Sequence, residues 1–124
     1  MSTNTPDPHP TSLEELRNAL RGFAAARDWD QFHSPKNLAI ALSVEAAELL
    51  QHFQWTPEAE STTLNRDQQA QVREEVADVF LYLVRLAEKL GIDLMSAAAD
   101  KIELNSAKYP IEKVRGSSKK YTEY

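Results

Sequence analysis

Two acidic pairs, Glu45-Ala-Ala-Glu48 and Glu75-Val-Ala-Asp78, lie inside stretches whose other residues are mostly core types. A separation of three puts both carboxylates of a pair on one face of a helix. From Leu38 to Leu50 and from Val76 to Leu86 apolar residues run around nearly the whole helical circumference, which predicts that these four carboxylates are drawn out of bulk water. A carboxylate in a low-dielectric interior takes up a proton unless it is paired, and several packed together suppress one another's ionisation further. A divalent cation resolves both costs. One Glu-x-x-Glu alone reads as a solvated helix face; two acidic pairs in two apolar helices favour a metal site. Oxygen ligands, no cysteine in the chain and no histidine at i+3 point to magnesium, with manganese as the alternative, over zinc or iron. A di-iron carboxylate bundle requires Glu-x-x-His on two helices, whereas His52 follows Glu48 by four. Two oxygen-ligated ions can neutralise a polyphosphate, polarise a phosphorus centre and lower the pKa of a bound water, so no protein nucleophile is needed. That suits a chain with three glycines and no Gly-rich phosphate loop.

The elements that must hold these pairs are legible from their punctuation. Ser12 is the expected N-cap of a first helix, with Glu15 as its capping-box partner and Leu13, Leu16, Leu20 and Phe23 as its apolar stripe, running to about Asp28. Ser34-Pro35 marks the second start, serine as cap and proline in the first turn, and this helix carries Glu45 and Glu48 to an end near Gln54 to Thr56. A polar loop is expected over Thr56 to Thr63. Asn65 or Asp67 caps a long third helix that bears Glu75 and Asp78 and stops at Gly91; Asp93 caps a fourth, which Pro110 terminates. No alternating apolar and polar run suggests a strand. The prediction is an all-α antiparallel four-helix bundle over residues 12–110, preceded by a disordered tail at 1–11 and followed by a polar tail at 111–124 that is either disordered or phosphate-binding.

Composition narrows the partners. A net charge of −5 argues against a nucleic-acid surface, and no segment approaches the roughly 20 apolar residues of a membrane span. Residues 1–11 have neither the basic nor the apolar region of a secretory signal, so a cytoplasmic location is the expectation. Lysines and arginine gather toward the C-terminal end, from Lys101 to Lys120, where they could hold an anionic substrate bridged to the carboxylates by metal. The two apolar helices carry more apolar surface than four short helices can cover in one chain, so a homo-oligomer is expected.

Glu-x-x-Glu on one helix followed by Glu-x-x-Asp on the next resembles the MazG-like all-α nucleoside triphosphate pyrophosphohydrolases. The run Phe23-Ala-Ala-Ala-Arg-Asp-Trp29-Asp-Gln-Phe-His33, then Asn37-Leu38-Ala39, Phe53-Gln54-Trp55, Lys108-Tyr109-Pro110 and the Ser117-Ser118-Lys119-Lys120-Tyr121-Thr122-Glu123 ending are similar to the dCTP pyrophosphatase branch of that family. The likeness covers residues 12–123. It implies magnesium-dependent hydrolysis between the α and β phosphates, a nucleoside triphosphate such as dCTP or a modified dCTP as substrate, a house-cleaning role and a homotetramer. It also implies that Glu45, Glu48, Glu75 and Asp78 are the metal ligands, that Lys101, Asn105 and Lys108 face phosphate, and that Trp29, His33, Trp55 and Tyr82 line the base pocket. Lys101, Asn105 and Lys108 share a helical face at 4+3 spacing. Read without the resemblance, Trp29 and Trp55 are equally core aromatics at helix ends, Tyr82 is more often a core residue, and His33 is a capping or surface residue. Lys36 stands where arginine is common in the family, Ser106-Ala107 replace positions that are often basic, and Thr56 to Thr63 has no counterpart. Two readings compete: the same chemistry on another nucleotide, and a non-catalytic helical oligomerisation module with a structural cation.

Overall fold

The computed structural model describes residues 9–123, and the expectation for residues 1–8 lies outside them. The order is α1 (Leu13–Ala26), α2 (Pro35–Gln51), α3 (Arg66–Lys89), α4 (Leu94–Lys108) and α5 (Ile111–Val114), with single 3-10 turns at Asp30–Phe32, Glu58–Glu60 and Tyr121–Glu123. The fold is all-α, as predicted, with no strand among the described residues. Among the described residues no helix is long and apolar enough to cross a membrane. The chain forms two compact units, Met1–Gly91 and Ile92–Tyr124.

The first unit is α1, α2 and α3. Its caps are those the sequence specifies: Ser12, Ser34 and Asn65 each accept the N–H three residues on, from Glu15, Asn37 and Gln68. Only Asn65 forms the full reciprocal box, since Gln68 Oε1 also accepts the Asn65 N–H at 3.1 Å. At Ser12 the expected box is displaced by one residue. The Glu15 carboxylate accepts instead from the Thr11 N–H at 2.7 Å and the Thr11 hydroxyl at 2.8 Å, bonds that hold its pKa below the usual range. The ends of α1 and α2 are earlier than predicted. α1 stops at Ala26, and α2 gives way after Gln51 to turns in which the His52 and Phe53 N–H groups bond to Leu49 and Leu50, three residues back.

α2 and α3 are antiparallel: His33, just before α2, meets Arg85 late in α3, while His52 at the end of α2 approaches Glu75 in the first half of α3. Ala24, Leu38, Val84 and Ala87 are buried between the three helices, and so is Arg85. The expectation that α2 and α3 are buried all round does not hold for one chain, in which Ile40, Val44, Val76 and Phe80 are about half exposed. In the second unit, Asp93 caps α4 through the Ser96 N–H, and the segment after Pro110 opens with the short helix α5. Gly91, with φ 66°, follows α3 in the left-handed conformation that its predicted stop requires.

Candidate active site

The acidic pairs meet where α2 crosses the first half of α3. Glu45 and Glu48 on α2 and Glu75 on α3 each bring a carboxylate oxygen to within 4.8 Å of the others. All three side chains are half-buried. Glu45 Oε2 and Glu75 Oε2 are wholly buried and have no hydrogen-bond partner among the described residues. Burial, followed by the adjacent carboxyl groups of Glu75 and Glu48 and the charge of Asp78, pushes Glu45 up to about 7. This is what a group of acceptors without a donor must do in the absence of a cation. Orphaned oxygens in an all-carboxylate set fit a hard divalent ion, magnesium or manganese. His52 Nε2 lies 3.9 Å from Glu75 Oε1, beside the cluster.

Asp78 is one turn beyond Glu75 and outside the closest group, yet near enough for its charge to act on Glu45. It also lines a cavity of about 250 Å³ together with Phe23, Trp29, His33, Tyr82 and Arg85. That volume lies below the roughly 300–1,000 Å³ of sites for drug-sized ligands, and is better matched to a single heterocycle. Four side chains of the cluster and the cavity come from one stripe of α3, since Glu75, Asp78, Tyr82 and Arg85 are spaced 3, 4 and 3.

The end of α1 brings Trp29 to this cavity. The Asp28 N–H bonds to Ala25 O at 3.1 Å and the Trp29 N–H to Ala24 O at 2.9 Å, the paired bonds of a Schellman motif, with Asp28 at φ 54° in the left-handed region. Aspartate tolerates that conformation better than most residues, and here its carboxylate accepts from Gln31 Nε2 at 3.0 Å. The reversal folds Trp29 back on α1, edge-on to Phe23 at 5.7 Å between ring centroids. The 3-10 turn then delivers His33, and Asn37 at the start of α2 donates to Phe32 O at 3.0 Å to hold it.

Arg85 is the residue that sequence reasoning missed. It is 5% exposed, and donates through Nε to His33 Nδ1 at 3.2 Å, through one terminal nitrogen to Glu88 at 3.1 Å and through the other to Asp30 at 2.5 Å. Lys89 also donates to Asp30, and Arg21 to Glu88. The Lys89 hydrogen bond, with the charges of Lys89 and Arg85, holds the Asp30 carboxyl below the usual range. Burial first, then the Arg85 charge, pushes His33 down. A signal existed: a lone arginine within Val79 to Ala87, otherwise apolar apart from Tyr82, at i+7 from Asp78.

The remaining predicted residues are elsewhere. Trp55 is 87% exposed and lines a second cavity, of about 390 Å³, with Thr56, Pro57, Glu60 and Gln68. Lys101, Asn105 and Lys108 lie on α4 in the second unit, all exposed.

This helical chain, with a carboxylate cluster beside an aromatic cavity, has relatives among known proteins. The MazG-like family model matches residues 40–124. The dCTP pyrophosphatase 1 proteins of Rattus norvegicus and Homo sapiens are each 43% identical over 118 residues, which span 94% of this chain and 69% of theirs. The crystal structure of a pyrophosphatase from Archaeoglobus fulgidus superposes with a TM-score of 0.76 at 40% identity, covering 86% of this chain and 99% of that one. The chain belongs to the MazG-like family. Within it, the resemblance to the dCTP pyrophosphatase type extends over nearly the whole sequence.

Proposed function

We propose that this chain is a magnesium-dependent nucleoside triphosphate pyrophosphohydrolase that converts dCTP or a modified dCTP to the monophosphate and pyrophosphate, clearing such nucleotides from a cytoplasmic pool. The observation that carries the reading is the double position of Asp78, which borders the carboxylate cluster on one side and the aromatic cavity on the other. A nucleotide bound with its base in the cavity directs its phosphates toward the acidic cluster. The 43% identity to proteins named for dCTP supports the choice of base.

In this reading Glu45, Glu48, Glu75 and Asp78 hold the metal. Magnesium, when bound, supplies positive charge to the triphosphate and activates water for attack at the α phosphorus. Trp29 and Tyr82 enclose the base and exclude water from it, and His33 offers it a hydrogen bond. The family resemblance assigns Lys101, Asn105 and Lys108 to the phosphates, and pyrophosphate leaves as the bond from the α phosphorus to the bridging oxygen breaks. Trp55, exposed in the single chain, closes the site of a neighbouring copy in a homo-oligomer. A structural cation alone would leave the aromatic cavity without a purpose.

Incubation with magnesium and a panel of nucleotides, with products separated by chromatography, tests this. The expected products from dCTP are dCMP and pyrophosphate, with no turnover in chelator. Glu48→Gln and Asp78→Asn keep the shape of a ligand while removing its charge, and each should lower kcat by orders of magnitude. Release of orthophosphate with dCDP, or near-normal rates in either variant, would overturn the assignment.

A further inference from the structure

Arg85 does more than balance charge. A buried guanidinium needs acceptors for its N–H groups, and Asp30 and Glu88 already provide two carboxylates for its single charge. Its third bond goes to a neutral partner. Arginine Nε always carries hydrogen and never accepts, so the 3.2 Å contact fixes His33 Nδ1 as the acceptor. The ring proton of neutral His33 must then reside on Nε2. Nε2 has no hydrogen-bond partner among the described residues, and His33 lines the cavity shared by Trp29 and Tyr82.

We infer that Arg85 is a positioning residue for base selection: by occupying His33 Nδ1 it presents Nε2–H as a fixed donor to the cavity, which selects a nucleobase with an acceptor at ring position N3. This rests on the reading of the cavity as the base site. Cytosine has that acceptor at N3, next to the O2 acceptor. Uracil and thymine carry N3–H there, so in the same pose the His33 donor would face another donor and lose its partner, and a base shifted to offer O2 or O4 would leave that pose. An unmatched donor in a partly enclosed site costs roughly ten- to a hundredfold in discrimination. Without Arg85, the histidine would exchange its ring proton between the two nitrogens, and either a donor or an acceptor could face the base.

Two measurements test the inference separately from the activity. Long-range proton–nitrogen NMR of the unliganded wild type should find the His33 proton on Nε2; a proton on Nδ1 overturns it. Kinetics then compare kcat/KM for dCTP and dUTP in the wild type, Arg85→Ala and Arg85→Lys. Arg85→Ala should lose about tenfold of the dCTP preference, mainly through the KM for dCTP with kcat nearly kept, and Arg85→Lys should restore part of it because an ammonium can still donate to Nδ1. Asp30→Asn loosens the same ion-pair network while leaving Arg85 Nε on His33, so it should lower the melting temperature without moving the dCTP to dUTP ratio. A folded Arg85→Ala protein with an unchanged ratio, or an Asp30→Asn protein whose ratio falls as far, would show that Arg85 serves the fold alone. If Arg85→Ala does not fold, the wild-type tautomer and the Arg85→Lys ratio decide. A wild type that hydrolyses no nucleotide would remove base selection together with the proposed function, and the NMR result would still report what Arg85 does to His33.

Discussion

At the scale of single residues, Glu45 concentrates the energetics of the site. Its pKa is pushed up to about 7 from an ordinary 4.5 by burial and by its carboxyl neighbours. A carboxyl raised in the folded state binds more protons folded than unfolded, so its contribution to stability is fully present below about pH 4.5 and is lost as the pH rises to about 7. Other groups slope the opposite way, Glu15 and Asp30 among them, because their folded pKa values are lowered. A difference between variants therefore isolates the effect. Glu45→Gln resembles the protonated acid, so in chelator it should melt close to wild type at pH 4.5 and above it at pH 7. Magnesium should reverse the order at pH 7, since the cation stabilises the ionised wild type by mass action and has one ligand fewer in the variant. Parallel melting curves for the two proteins across this range, with and without magnesium, would mean that the carboxylates are paired by protein groups. The grouping of Glu45, Glu48 and Glu75 was legible in the sequence because carboxylates paired at i+3 in apolar helices demand compensation. Arg85 was not read, since two of its three partners, Asp30 and His33, lie more than 50 positions away, and local spacing records only Glu88, three residues on.

At the scale of elements, starts were more legible than ends. Ser12, Ser34, Asn65 and Asp93 each cap through a side chain within three residues of its target, which is a local event that a sequence can encode. The ends of α1 and α2 depend on where the chain is next required. α1 stops two residues early because the Asp28 reversal is what returns Trp29 to the cavity. The same contrast between local and tertiary control predicts two different mutational costs. Asn65→Ala removes the side-chain acceptor of the Gln68 N–H from a capping box on an exposed helix start, leaving only the Asn65 backbone N–H to Gln68 Oε1, and should destabilise by about 1 kcal/mol. Leu38→Ala opens a cavity at a side chain only 1% exposed and should cost about 2–5 kcal/mol. Denaturant unfolding of both variants measures the ranking; an Asn65→Ala loss equal to or larger than that of Leu38→Ala would mean that α3 is held by its first turn more than by its packing.

At the scale of the whole molecule, the apolar pattern that suggested fully buried helices is only partly consumed by one chain. Ile40 is 52% exposed and Val44 50%, one turn apart on α2, while Val76 and Phe80, one turn apart on α3, are 50% and 45% exposed. Such residues scattered singly are ordinary on protein surfaces, whereas pairs at helical spacing on two packed helices mark faces with a contact to make. The surface beside the carboxylate cluster shares this character, because Val44 precedes Glu45 and Val76 follows Glu75. A second copy covering these faces would bury apolar area at about 25 cal/mol per Å² and draw the carboxylates further from water, reinforcing their demand for a cation. The prediction is a homo-oligomer, a tetramer arranged as a dimer of dimers, with a sedimentation mass near four times the 14.0 kDa of the chain. Val44→Lys together with Phe80→Glu should shift the population to smaller species, since both charges would have to be buried at the contact. Activity should fall with the mass and recover at high protein concentration if assembly completes the site. A wild type that sediments as a 14.0 kDa monomer at micromolar concentration would overturn this, and would require one chain to bring Trp55 to the base cavity by itself.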